Sequence, residues 1–206
     1  VSAQAIEQSA NKQYAQLMAE AQKKDRLNAD VAQYERVKAI ADKLIKQTPA
    51  FRADAPAWKW EVNVLTSPEV NAWCMPGGKI VVYTGLLPIT QNENALGVVM
   101  GHEVAHALAM HGNERMSQAT LQQMGGVALS VAVANKTREA QRILLDAYGI
   151  GTTVGALLPF SRKHELEADK LGLMYAALAG FDPREAIPLW QRMEKASQGQ
   201  KQPEFL

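Results

Sequence analysis

The stretch Asn94-Ala95-Leu96-Gly97-Val98-Val99-Met100-Gly101-His102-Glu103-Val104-Ala105-His106-Ala107-Leu108-Ala109 decides the reading of this chain. Two histidines four residues apart on a helix leave it about 400° apart, on one face and one turn from each other, so His102 and His106 can grip one metal ion. Glu103 projects about 100° round from His102, within reach of a water on that metal and not competing for the metal itself. That is a general base's position. A surface pair or a hydrogen-bonded core pair of histidines would leave the same five letters. The flanks Ala95, Leu96, Val98, Val99, Ala105, Leu108 and Ala109 are apolar or small, which makes this a core helix. Two histidines and a glutamate on such a helix are costly to bury without partners, and zinc compensates both imidazoles together. Thr90-x-x-Glu93 reads as a capping box that starts the helix, with Leu87 or Ile89 available as a hydrophobic staple.

A catalytic zinc usually takes three protein ligands and a water, so a third ligand is expected elsewhere. After Pro159 the chain Ser161-Arg162-Lys163-His164-Glu165-Leu166-Glu167-Ala168-Asp169 runs into Leu171, Leu173, Met174 and Ala177, a helical apolar pattern. Glu165 and Asp169 share one face of that helix, which suits one as ligand and the other as the carboxylate that orients a ligating histidine. Glu167 points away. An acidic helix start also interacts favourably with the helix dipole and solvent. The two histidines of the first helix favour the ligand reading. His111 is a rival ligand, but five residues past His106 it lies about 140° off the metal face. It fits better at a helix C-terminus, with Gly112 as the left-handed cap. His164 lies about 100° from Glu165 and is left as a substrate-side or structural residue. Arg162 is a candidate oxyanion donor or a salt-bridge partner.

Working outward, the pattern predicts an α+β chain that is mainly α. The segment to Thr48 reads as helical, with Val31, Tyr34, Val37, Ile40, Ala41 and Leu44 in a stripe. Residues 50–58 form a link. Trp60, Val62 and Val64 alternate with polar residues as a strand does, and Val70–Met75 and Lys79–Thr84 flank Pro76-Gly77-Gly78 as a hairpin. That hairpin is either an edge that binds an extended peptide by strand addition or simply part of the core. Asp182-Pro183-Arg184-Glu185 opens a last helix with cap, proline and capping box.

The 206 residues, 47% of them hydrophobic, are expected to form a single domain: helical segment 1–48, small sheet 59–84 and catalytic helices 91–198. A net charge of +1, without Lys/Arg-rich runs interleaved with aromatics, predicts no nucleic-acid partner. Cys74 is the lone cysteine, so no internal disulfide can form. The chain starts at Val1 with no apolar targeting region near it, so any signal or anchor is expected to be absent from it. The apolar stretches Met124–Ala134 and Ile143–Phe160 fall short of the roughly 20 apolar residues a span needs, and read as core helices or a surface touching a membrane.

With these residues in place the chain resembles metallopeptidase family forty-eight, the group of HtpX-, Oma-, LoiP- and BepA-like zinc metalloproteases. The resemblance runs from about Val62 to Met193. It rests on Asn71-Ala72-Trp73, Pro76-Gly77-Gly78-Lys79-Ile80, Thr84-Gly85-Leu86-Leu87, Asn92-Glu93, the histidine motif, Ser161-Arg162 with Glu165-x-x-Ala168-Asp169, and Gly180-Phe181-Asp182-Pro183-Arg184. Lacking a tetratricopeptide tail, the chain looks closest to the LoiP-like or Oma-like branch. The resemblance implies a zincin-like (gluzincin) domain holding one Zn2+ with His102, His106 and Glu165, with Glu103 as catalytic acid/base. It also implies unfolded or misfolded envelope proteins as substrates, in the bacterial periplasm or as an outer-membrane lipoprotein, near a membrane.

The expected chemistry is hydrolysis: Glu103 takes the proton of a zinc-activated water and later protonates the leaving amine, while Asp169 holds a ligating imidazole. The competing expectation is a zinc-stabilised, chaperone-like binding module without turnover. Retention of Glu103 argues against it, because a structural site has no need for a base. Family relatives continue beyond the Gly-x-Asp-Pro helix into a Thr-His-Pro element. The stop at Glu204-Phe205-Leu206 predicts a C-terminally truncated form with reduced turnover and retained metal.

Overall fold

A computed structural model describes residues 2–109 and 169–197. Its elements are helices α1 (Ala3–Lys23) and α2 (Val31–Lys46), strands β1 (Glu61–Leu65), β2 (Ala72–Met75) and β3 (Lys79–Tyr83), and the short helix α3 (Leu87–Thr90). Helices α4 (Glu93–Leu108), α5 (residues 169–178) and α6 (Ala186–Ser197) complete the described part. It is the mainly helical α+β architecture that the sequence patterns predict. Among the described residues no helix is long and apolar enough to cross a membrane. The apolar stretches 124–134 and 143–160 lie outside them.

The three strands form one sheet in the order β1-β3-β2, with β1 parallel and β2 antiparallel to the central β3. Period-2 alternation sorts the side chains onto two faces. Val62, Val64, Ala72, Ile80 and Val82 belong to the main core with α2 and α4. Leu65 and Val81, with Trp73, Met75 and Tyr83 beside them, pack against Tyr14, Met18 and Ala21 of α1. The sheet thus lies between α1 on one face and α2 with α4 on the other. At the hairpin tip Gly77 and Gly78 have φ of +90° and +97°, which glycine adopts without the Cβ penalty.

Helix α4 buries thirteen of its sixteen residues, so it is enclosed on nearly all sides and serves as the central rod of the core. Two glycines allow this closeness. A Cβ on Gly97 would fall 2.4 Å from the Phe181 ring, and one on Gly172 of α5 would fall 2.8 Å from His102 Cα. Helix α5 therefore crosses α4 almost backbone to backbone at His102. Its Tyr175 is fully buried, donates a hydrogen bond to the Leu44 carbonyl of α2, and meets Phe51 edge-on.

Three local readings are corrected. The helical segment to Thr48 is two helices, broken at 24–30, where Asp25 and Asn28 take φ of 55° and 50°. These residue types tolerate the left-handed region better than most, and Asp30 caps α2 by accepting from Gln33 N–H at 3.1 Å. The cap of α4 is Asn92, whose Oδ1 accepts from Ala95 N–H at 2.9 Å, and not Thr90. Thr90 is occupied by the preceding turn, donating its hydroxyl to the Leu87 carbonyl at 3.2 Å. Asp182 caps a 3-10 turn, Pro183–Glu185, that leads into α6. The reciprocal half of its box is missing, because the Asp182 N–H donates to Asn94 Oδ1 at 3.0 Å while Glu185 accepts from the Asn92 amide at 3.4 Å.

Candidate metal centre and active site

The rings of His102 and His106 leave one face of α4 and meet edge to face, with centroids 4.9 Å apart. Their Nε2 atoms are 3.2 Å apart. Two imidazole ligands of a tetrahedral zinc, each about 2.0–2.1 Å from the metal, would lie about 3.3 Å apart, so the pair fits one ion without rearrangement. His102 is buried, and its Nδ1 lies 3.1 Å from Asp169 Oδ1 on α5. An ionised carboxylate only accepts, so Nδ1 carries the proton and the lone pair of Nε2 is left for a metal. This contact exists because Gly172, three residues on from Asp169, brings the α5 backbone against His102.

Glu103 is 9% exposed and lies on the next face of α4, toward the sheet. Its negative charge helps to raise the pKa of the Cys74 thiol, although burial is the larger cause, so the thiol stays protonated. Strand β2, which carries Cys74, packs against α4. In an antiparallel ladder hydrogen-bonded pairs alternate, and the Tyr83 N–H to Asn71 carbonyl bond fixes the phase. The main-chain groups of Ala72 and Cys74 therefore face outward from β2, and they have no hydrogen-bond partner among the described residues.

The structure thus brings together His102, His106, Glu103 and Asp169. Glu165 and Arg162 lie outside the described residues, as do His111 and His164. Among the described residues no group of three His, Cys, Asp or Glu is arranged to hold a metal. Sequence reasoning missed Gly172 and the nearness of Cys74 to Glu103. The only signal for Gly172 is a glycine inside a helical pattern, where it weakens the helix by about 1 kcal/mol unless packing needs it.

Residues 32–206 match the family model described as Peptidase family M48. The chain belongs to that family. It is 41% identical to the mitochondrial metalloendopeptidase OMA1 of Schizosaccharomyces pombe over 142 residues, covering 69% of this chain and 40% of the relative. The human metalloendopeptidase OMA1, mitochondrial, is 33% identical over 198 residues, 89% of this chain and 36% of the relative. The beta-barrel assembly-enhancing protease of Escherichia coli is 29% identical over 149 residues, 69% of this chain and 30% of the relative. The chain spans less than half the length of each of these M48 relatives. They bear out the family resemblance and its Oma-like side.

Proposed function

We propose that this M48 chain is a zinc-dependent metalloendopeptidase that cleaves unfolded or misfolded proteins. The reading is carried by one observation: the Nε2 atoms of His102 and His106 stand 3.2 Å apart, with His102 Nδ1 held by Asp169. In it His102, His106 and Glu165 hold the metal. Zinc, when bound, activates a water and polarises a peptide carbonyl. Glu103 accepts a proton from the attacking water and delivers it to the leaving amine. Burial beside β2 keeps Glu103 close to where a substrate chain lies. The outward main-chain groups of Ala72 and Cys74 bind the substrate as an added strand, which accepts many sequences because the bonds are to backbone. Asp169 keeps His102 in the ligating tautomer throughout.

Protein quality control in a bacterial envelope is part of this proposal, supported by similarity to the Escherichia coli protease. A mitochondrial setting is the second reading, favoured by the higher identity to the yeast relative, 41% against 29%. Casein cleavage that a chelator abolishes and zinc restores is the expected result. Metal uptake without cleavage would replace this reading with a zinc-stabilised, chaperone-like module.

A further inference from the structure

We propose that Arg192 is a positioning residue of the reaction: from α6 it holds the chain reversal ahead of α4 and so sets where His102 and Glu103 stand. The inference rests on the peptidase reading above. Its guanidinium Nε donates to the Ile89 carbonyl at 2.7 Å and its Nη2 to the Thr90 carbonyl at 2.8 Å. These are the last carbonyls of α3, and Thr90's also accepts the Asn92 N–H at 2.7 Å. That i to i+2 bond closes a γ-turn centred on Gln91, with φ 65° and ψ −36°. This hand of γ-turn is rare and strained for an L residue, and it persists only where its surroundings hold it.

The turn has a mechanical consequence. Asn92, its last residue, is the N-cap of α4, and His102 lies ten residues further along one unbroken helix, about 15 Å. A change at the turn moves the start of the rod that carries the candidate metal ligands. The segment α5–α6 holds that rod through Asp169 on His102 and, through Arg192, holds the turn that precedes it at Asn92. Asp182 N–H on Asn94, and the Phe181 ring against Gly97, lock the head of α4 between these points. Arg192 touches neither histidine, so its effect is on their placement.

The test compares wild type, Arg192→Gln and Arg192→Lys, each loaded with cobalt(II), by visible absorption and by casein cleavage per bound metal. The expected result for Arg192→Gln is a kcat lowered about 10- to 100-fold with KM within about twofold, since an ångström of misplacement costs on that scale. Shifted cobalt bands accompany the loss. Arg192→Lys, which restores one cationic donor, recovers part of kcat. Wild-type kcat and wild-type cobalt bands in Arg192→Gln would overturn the proposal, as would a loss of activity fully accounted for by lost metal. Should the wild type bind cobalt and cleave nothing, the peptidase reading fails. The cobalt bands of the variants then still decide whether Arg192 sets the geometry of the site.

Discussion

The two edges of the small sheet are finished in opposite ways. On the β1 edge the outward groups of Val64 are both satisfied by Asn28, whose N–H donates to the Val64 carbonyl at 2.8 Å and whose Oδ1 accepts the Val64 N–H at 2.7 Å. The Thr66 N–H donates to the Arg26 carbonyl at 2.8 Å, and Leu27 bridges Leu65. The connector between α1 and α2 thus closes the Val64–Thr66 end of that edge with a single pseudo-strand. The β2 edge has no such cover among the described residues, although an open edge invites unwanted pairing and is usually blocked. The open edge is the one beside α4, where Glu103 and the two histidines sit. The difference bears on where the proposed substrate chain would be read: among the described residues, side chain and main chain are spent on the edge far from the candidate site, and main chain is left without a partner at the edge next to it.

The strongest challenge to this contrast is Glu103→Gln, which keeps the shape of the side chain and removes the proton acceptor. Cleavage should fall about 10²–10⁴-fold with zinc still bound. A purified variant that cuts casein at the wild-type rate would separate the open edge from the chemistry. Next in size is Asp169→Asn, expected to weaken zinc binding or activity about 10- to 100-fold because His102 loses the carboxylate on Nδ1. Unchanged metal affinity and rate would make Asp169 a packing residue. Smaller again is the effect at the edge itself. Cys74→Pro removes an outward N–H at an edge position where proline is tolerated, and Cys74→Ala controls for the lost thiol. KM for an unfolded substrate should rise about 2- to 10-fold in the proline variant relative to alanine, the scale of one backbone hydrogen bond. Equal KM values would mean that peptides do not add to β2.

How much of this is legible in the sequence follows the range of the forces. The α4 rod and the β2–β3 hairpin were readable, because the 3.6 and 2.0 periodicities and the Pro76-Gly77-Gly78 turn are local signals. The closed edge was not. Residues 24–30 contain no glycine or proline, and their break is made by pairing with β1, a contact across more than thirty residues of sequence. The cap of α4 lies two residues beyond Thr90 for a similar reason: Thr90 is a good cap by type, but its hydroxyl is taken by Leu87 and its carbonyl by Arg192, over a hundred residues away. His102, His106, Glu103 and Asp169 could be named from spacing. That α5 would lie against His102 depends on Gly172 meeting a particular partner helix, and one sequence does not display that meeting.

The closed edge can be loosened by itself. Asn28→Ala deletes the acceptor for the Val64 N–H and the amide that donates to Asn63 at 2.8 Å, at a φ of 50° that alanine tolerates poorly. Losing these bonds should cost about 1–3 kcal/mol of stability, read by denaturant unfolding, while kcat and KM of the folded protein stay as they are. A loss of activity at unchanged stability would break the contrast, since it would tie the sealed edge to the chemistry.

The smallest expected effect is alkaline and involves the same network. Asn63 also donates to the Tyr14 hydroxyl of α1. Burial, more than the nearby Glu61 charge, raises the pKa of that hydroxyl, and the Asn63 bond only partly offsets it. A raised folded pKa means that the unfolded chain gives up this proton first. The stability contributed by neutral Tyr14 is complete below the unfolded value of about 10, and is lost as pH climbs from there through the folded value. Melting followed from pH 8 to 11 should therefore decline above about 10 in the wild type and more gently in Tyr14→Phe, which starts lower for want of the Asn63 bond. Parallel declines in the two proteins would place the alkaline sensitivity elsewhere, and the buried hydroxyl of Tyr175, also raised by burial, would be the next to vary.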